Sequence, residues 1–191
     1  MSAILVPNPM RITRPIYYQM VDAGVFDRRR VELIDGEIIE MPGQKNPHFV
    51  SLGLCERKLS QVFGEGYWIR PQGPLHLKDD SEPEPDVAVV KGTPRDFKDH
   101  PTSALLIIEI SETTLTYDQM VKSSLYARDG IADYWIVNLV DGQLEVYRDP
   151  VADRSRRFGH RYSKVVTLRP GQFVAPLASP RKKIAVADLL P

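Results

Sequence analysis

The chain has 191 residues, 42% hydrophobic and 26% charged, and its 25 basic and 25 acidic residues cancel to a formal net charge of zero. Such a chain suits one globular domain spanning 1–191, and its single cysteine, Cys55, excludes a disulfide framework or a cysteine-rich zinc site. Neutrality means that nucleic acid could be drawn only to a local patch; the lack of an ~18-residue apolar run, or of a signal-peptide core in residues 1–14, makes the expectation no membrane span and a cytoplasmic location.

In chain order, Thr13-Arg-Pro15 predicts the start of a short helix that stops at Gly24. Asp35-Gly36, between the β-favouring arms of Val31 to Met41, predicts a hairpin, because Gly accepts the positive φ of a tight turn. Asn46-Pro47 opens a helix whose apolar positions Leu52, Cys55, Leu59 and Val62/Phe63 step by three or four, ending at Gly64 or Gly66. Strands are predicted at Tyr67 to Arg70, Leu75 to Lys78 and Asp86 to Val90. Two prolines keep Ser81 to Pro85 out of a helix, and 91–103 reads as a loop. After the central unit, Asp141-Gly142 joins strands Tyr134 to Val140 and Gln143 to Arg148. A basic loop at 153–160, a strand at Tyr162 to Leu168, a turn at Arg169-Pro-Gly171 and a short helix within Ile184 to Leu190 complete the chain.

The central unit begins with Leu105 to Ile110, an apolar, β-branched run that reads as a strand buried on both faces. Glu109 is out of place there, since an unpaired buried carboxylate costs several kcal/mol or takes up a proton. A metal ion, a positive partner or a cleft at the strand end would resolve the conflict. Glu109 and Ser111 share one strand face, about 7 Å apart. A helix follows, with Thr116 and Gln119 at capping-box spacing and Gly130 beyond its end. Asp118, Lys122 and Tyr126 lie four apart on one stripe, and the next strand, Tyr134-Trp-Ile-Val137, returns that helix over the sheet. Lys122 is thereby expected near Glu109.

Asp86, at a strand mouth after Pro85, and Glu109 are two carboxylates suited to a hard divalent cation. A lysine beside them can orient or deprotonate a water, or neutralise a phosphoryl transition state. Each also has an ordinary explanation: Asp86 as a strand end, and Asp118–Lys122 as a surface pair.

The ordered set Val31-Glu-Leu-Ile-Asp-Gly-Glu37, Pro47-His48, Pro85-Asp86-Val, Ile108-Glu109-Ile-Ser111, Asp118-x-x-x-Lys122, Tyr126-Ala127 and Gly130-Ile-x-Asp-Tyr-Trp-Ile-Val137 resembles a bacterial family. It is similar to the “putative restriction endonucleases” of the PD-(D/E)XK nuclease superfamily, from about Thr13 to the C-terminus. The resemblance implies an α/β fold: a mixed β-sheet with flanking helices in a restriction-endonuclease-like core, with N-terminal and C-terminal hairpin additions. It also implies Asp86 and Glu109 as ligands of Mg²⁺ or Mn²⁺, and a homodimer. The superfamily's usual lysine position is Ser111 here, and the family's helix-borne lysine maps to Lys122. Ser111-Glu112 replaces a common Ser-Pro.

Glu32 lies in the shared hairpin, where it would reach the metal or simply face solvent. His48 is a candidate substrate contact, with a helix cap or a surface position as its ordinary role, and Ser111 a second candidate. Arg28 to Arg30, Arg154/Arg156/Arg157 and Arg181 to Lys183 would bind phosphates or be solvated. Trp135 and Tyr134 are expected in the core, and Glu82 and Glu84 at the surface. The leading expectation is a metal-dependent endonuclease acting on DNA, using Asp86, Glu109, Lys122 and Glu32. The alternatives are a catalytically silent nuclease fold binding nucleic acid or a protein, and a small-nucleotide phosphohydrolase.

Overall fold

Turn chemistry and apolar alternation set the elements, which the computed structural model describes for residues 9–78 and 80–191. The expectation of no signal peptide, in so far as it concerns residues 1–8, lies outside the described residues. Helix α1 (Arg14–Asp22) has Thr13 at its N-cap and ends before Gly24, whose φ is +73°. Strands β1 (Val31–Ile34) and β2 (Glu37–Glu40) form an antiparallel hairpin, with Asp35 and Gly36 at φ +52° and +72° as a tight turn demands. Helix α2 (Asn46–Phe63) carries Pro47 in its first turn and stops at Gly64.

Six further strands make one mixed sheet: β3 (Tyr67–Pro71), β4 (Val87–Lys91), β5 (Leu106–Ser111), β6 (Asp133–Asn138), β7 (Gln143–Ala152) and β8 (His160–Leu168), in that spatial order. Only the central β5–β6 pair is parallel. A parallel pair needs a crossover. It is supplied by α3 (Leu115–Tyr117), a π-helical turn (Asp118–Lys122) and α4 (Ser123–Arg128). Strands β9 (Phe173–Val174) and β10 (Ile184–Ala185) pair separately, ahead of a 3₁₀ turn at Val186–Asp188.

Strand alternation divides the core in two. Val87, Val89, Ile108, Ile110, Trp135 and Val137 face α2 and the C-terminal segment, including Val186 and Leu189. Ala88, Val90, Ile107, Tyr134 and Ile136 face Leu125 and Tyr126 of α4. Glu109 and Ser111 alternate onto this second face, as expected. Among the described residues no helix is long and apolar enough to cross a membrane.

Several predicted elements differ. Leu75 to Lys78 is not a sheet strand: Leu75 and Leu77 are buried, but the segment folds back on itself through Leu77 N to Ser81 O (2.9 Å) and Leu75 N to Pro83 O (2.9 Å). Its alternating leucines report burial, not ladder pairing. The crossover helix starts from Thr114 and not from a Thr116 capping box, and it contains the π-turn. The tail gives a short strand as well as a helical turn. Asp86 precedes β4 instead of opening it.

Trp135 is fully buried, and its Nε1 donates to Asp133 Oδ1 (2.7 Å). Trp135→Ala should therefore cost about 3–5 kcal/mol, from lost apolar burial and an emptied space. Urea unfolding measures it; a loss under about 1 kcal/mol would contradict the core assignment.

Candidate active site

The conflict posed by Glu109 is resolved by a lysine from the crossover. β4 pairs with β5 only as far as Val87↔Ile108, so Asp86 falls beside Glu109 where the two strands part. Beyond that point the Ile110 N–H, lacking a strand partner on that side, donates to Asp86 Oδ2 (2.8 Å). Lys122 Nζ reaches from the π-turn to Glu109 Oε1 and Glu32 Oε1, both at 2.9 Å. Tyr126 OH, one turn on, donates to Glu109 Oε1 (2.7 Å). Lys122, Glu32 and Glu109 are 1%, 2% and 3% exposed. This is a buried cluster, not a surface stripe.

Asp86 is oriented from α2 and from the loop before it. His48 Nε2 lies 3.1 Å from the carboxylate, and Gln44 Nε2 lies 3.3 Å from Oδ1. Gln72 Nε2 binds Gln44 Oε1 (3.0 Å). Asp118 is buried too, but it is not the surface partner of Lys122. Its Oδ2 accepts the hydroxyls of Ser111 and Thr114, each at 2.7 Å, and its Oδ1 is buried without a hydrogen bond. The Ser123 N–H bonds Asp118 O, five residues back, which is the π register. π-turns are rare and often mark functional sites.

A cavity of about 40 Å³ opens onto this cluster. Glu32, Glu84, Asp86, Glu109, Glu112 and Asp118 line it against the permanent cations Arg30, Lys45 and Lys122. Arg30 and Lys45 sit at the rim, 4.0 Å from Glu84 and 3.3 Å from Glu112. The excess of carboxylates suits a divalent cation.

The same sequence matches, over residues 16–182, the family Uma2, described as “Putative restriction endonuclease”. The chain belongs to the Uma2 family. No curated protein matches it. Among solved structures, the Uma2 chain is similar to a nuclease, titled as putative, of the family DUF820 from Anabaena variabilis. That likeness has a TM-score of 0.61 at 16% identity and covers 83% of this chain and 88% of the other, so it shows the nuclease-like fold. The six-stranded mixed sheet and flanking helices are the architecture that the sequence resemblance implies.

In this Uma2 chain Asp86, Glu109, Lys122, Glu32 and His48 line one cleft. Two ordinary readings fall: Glu32 does not face solvent, and His48 is no surface residue. Ser111 also differs from expectation. It is fully buried and its hydroxyl is committed to Asp118, so it presents no face to a substrate. Glu84 lines the cavity, whereas Glu82 turns into a separate buried cluster; neither is simply solvated. Gln44, Gln72 and the buried role of Asp118 had no sequence signal beyond the Asp118–Lys122–Tyr126 spacing.

Electrostatics follow from this burial. Burial raises the pKa of Glu109 well above the ordinary carboxylate value; Lys122 opposes this, and Asp118, Asp86 and Glu32 reinforce it. Burial also raises Asp118, against Lys122 and its two hydroxyl donors, and raises Glu84 against Arg30. Burial pulls Lys122 down, but Glu109, Glu32 and Asp118 outweigh it and hold the ammonium charged.

Two predictions follow from these contacts. Lys122→Met strands two buried carboxylates and should cost on the order of 3–5 kcal/mol, where a surface pair would contribute a few tenths. Urea unfolding decides; a loss below about 1 kcal/mol would contradict the buried clamp. In addition, the raised carboxyl groups bind more protons folded than unfolded, so their contribution falls as pH rises from about 4.5 towards neutrality. Lys122 stays protonated in both states throughout this window. Thermal melts without metal should show a shallower decline in Glu109→Gln than in wild type, and equal slopes would contradict the raised Glu109.

Proposed function

We propose that this Uma2 chain is a divalent-metal-dependent endonuclease that hydrolyses phosphodiester bonds in DNA, with Asp86 and Glu109 holding Mg²⁺ or Mn²⁺. The observation that carries this reading is the convergence of Asp86, Glu109 and Lys122, from three separate elements, on a carboxylate-rich cleft. Such an ion, when bound, neutralises phosphate charge and acidifies a water.

The protein's own groups divide the remaining work. Glu109 spends Oε1 on Lys122 and Tyr126, leaving Oε2 for a ligand. Asp86 is aimed by the Ile110 N–H and His48. His48 thus acts first as a positioning residue for Asp86, and Ser111 as one for Asp118. Lys122, held charged, is not a general base; it stabilises negative charge that develops at the phosphoryl group. Glu32 fixes the ammonium from the opposite side. Arg30 and Lys45 at the rim meet phosphates of a substrate lying across the mouth. The reading extends to a single cytoplasmic domain and a homodimer, the latter tested by sedimentation.

One observation favours a second reading. The Lys122 ammonium is bound by two carboxylates, as a structural brace would be. In that case the fold is silent and binds nucleic acid or a protein partner. Cleavage of supercoiled DNA, linear DNA and RNA under Mg²⁺ and Mn²⁺ titration separates the two. The enzyme reading predicts ion-dependent DNA cleavage that falls roughly a hundredfold or more in Asp86→Asn and Glu109→Gln. Absence of cleavage in wild type would favour the silent fold, and full activity in both variants would contradict the roles given to Asp86 and Glu109.

A further inference from the structure

Glu82 takes no part in the cleft. Its carboxylate is buried; Tyr18 OH donates to Oε1 and Arg14 Nε to Oε2 (3.1 Å). His76 Nε2 lies 3.1 Å and His100 Nε2 3.9 Å from Oε1. These residues come from two segments joined by the backbone, His76 N donating to Pro101 O (2.9 Å). The imidazole rings stand edge to face, 5.1 Å apart at 88°, and the donor atoms of the three side chains all lie within 4.8 Å of one another.

We propose that His76, Glu82 and His100 form a second cation site, selective for an imidazole-favouring transition ion of the Zn²⁺ class. Two imidazoles and one carboxylate with an open position suit Zn²⁺, whereas the carboxylate pair Asp86 and Glu109 suits Mg²⁺ or Mn²⁺. Metal–ligand bonds of about 2.0–2.2 Å at tetrahedral angles place donors ~3.3–3.6 Å apart. The observed 3.1 and 3.9 Å from Glu82 Oε1 to the two imidazole nitrogens bracket that spacing.

A second observation points to a ligand. His76 Nε2 is buried and makes no hydrogen bond, although Glu82 is beside it. Arg14 and Tyr18 fix the carboxylate as outer partners do in metal sites. Arg70 Nη2 donates to His100 Nδ1 (2.6 Å), which leaves the ring proton on Nε2. Loading an ion on Nε2 moves that proton to Nδ1 and displaces Arg70 towards the open cleft lined by Trp68 and Phe97. The ion and the Arg70 contact therefore exclude one another. Because Glu82 lies four residues before Asp86, an ion here would brace the segment leading to the main cleft.

The test uses the full chain carrying Asp86→Asn and Glu109→Gln, so that the other site is disabled and its failure is separately visible. Titration with Co²⁺ and with Zn²⁺, each as the metal alone, should show one bound ion, visible Co²⁺ ligand-field bands and a raised melting temperature. Adding His100→Ala, at a partly exposed position, should weaken binding roughly a hundredfold or more, at least the scale for losing an outer partner. No binding in the disabled chain, or undiminished binding with His100→Ala, would overturn the site.

Discussion

The structure depends on one charge, the Lys122 ammonium, held out of water between carboxylates. An isolated buried ammonium would cost several kcal/mol, and so would each buried carboxylate. Together they join three distant parts of the chain: β1 through Glu32, β5 through Glu109 and the crossover through Lys122 itself. Glu32 Oε1 also accepts the Glu84 N–H (3.2 Å), which ties the segment before Asp86 to the same clamp. Removing the lysine would loosen the hairpin, the central strand and the approach to Asp86 at once.

The geometry that permits this clamp is local. The π-turn places Lys122 and Asp118 inward together, with Asp118 held by Ser111 and Thr114 and Lys122 free to reach β5. On the other side, the early end of the β4–β5 ladder leaves the Ile110 N–H to a side chain, and Asp86 supplies the acceptor. A cleft opens where a strand would otherwise continue. Its walls carry six carboxylates against three permanent cations, and burial raises the pKa of Glu84, Glu109 and Asp118 among them.

Much of this was legible in the chain. Glu109 inside an apolar run announced a conflict that only a partner resolves, and helical spacing brought Lys122 back over the sheet. Asp35-Gly36 and Asp141-Gly142 marked turns because positive φ has a local residue signature. What escaped depends on distant contacts. Glu82, between residues that prevent a helix, read as solvated, yet His76, His100 and Arg14 converge on it from other segments. Gln44 and Gln72 are ordinary loop residues in sequence, and only the fold sets them against Asp86. Leu75 and Leu77 imitated a strand because burial on one side has the same period as a ladder. The π-turn had no pattern of its own.

The central claim is that the cleft between Asp86 and Glu109 is a hard-cation site organised by a charged Lys122. An anomalous difference map from crystals soaked in Mn²⁺ tests it most directly. The account predicts a peak about 2.0–2.3 Å from one oxygen each of Asp86 and Glu109, with Lys122 still hydrogen-bonded to Glu109. Strong Mn²⁺ peaks elsewhere and none between these carboxylates would contradict it.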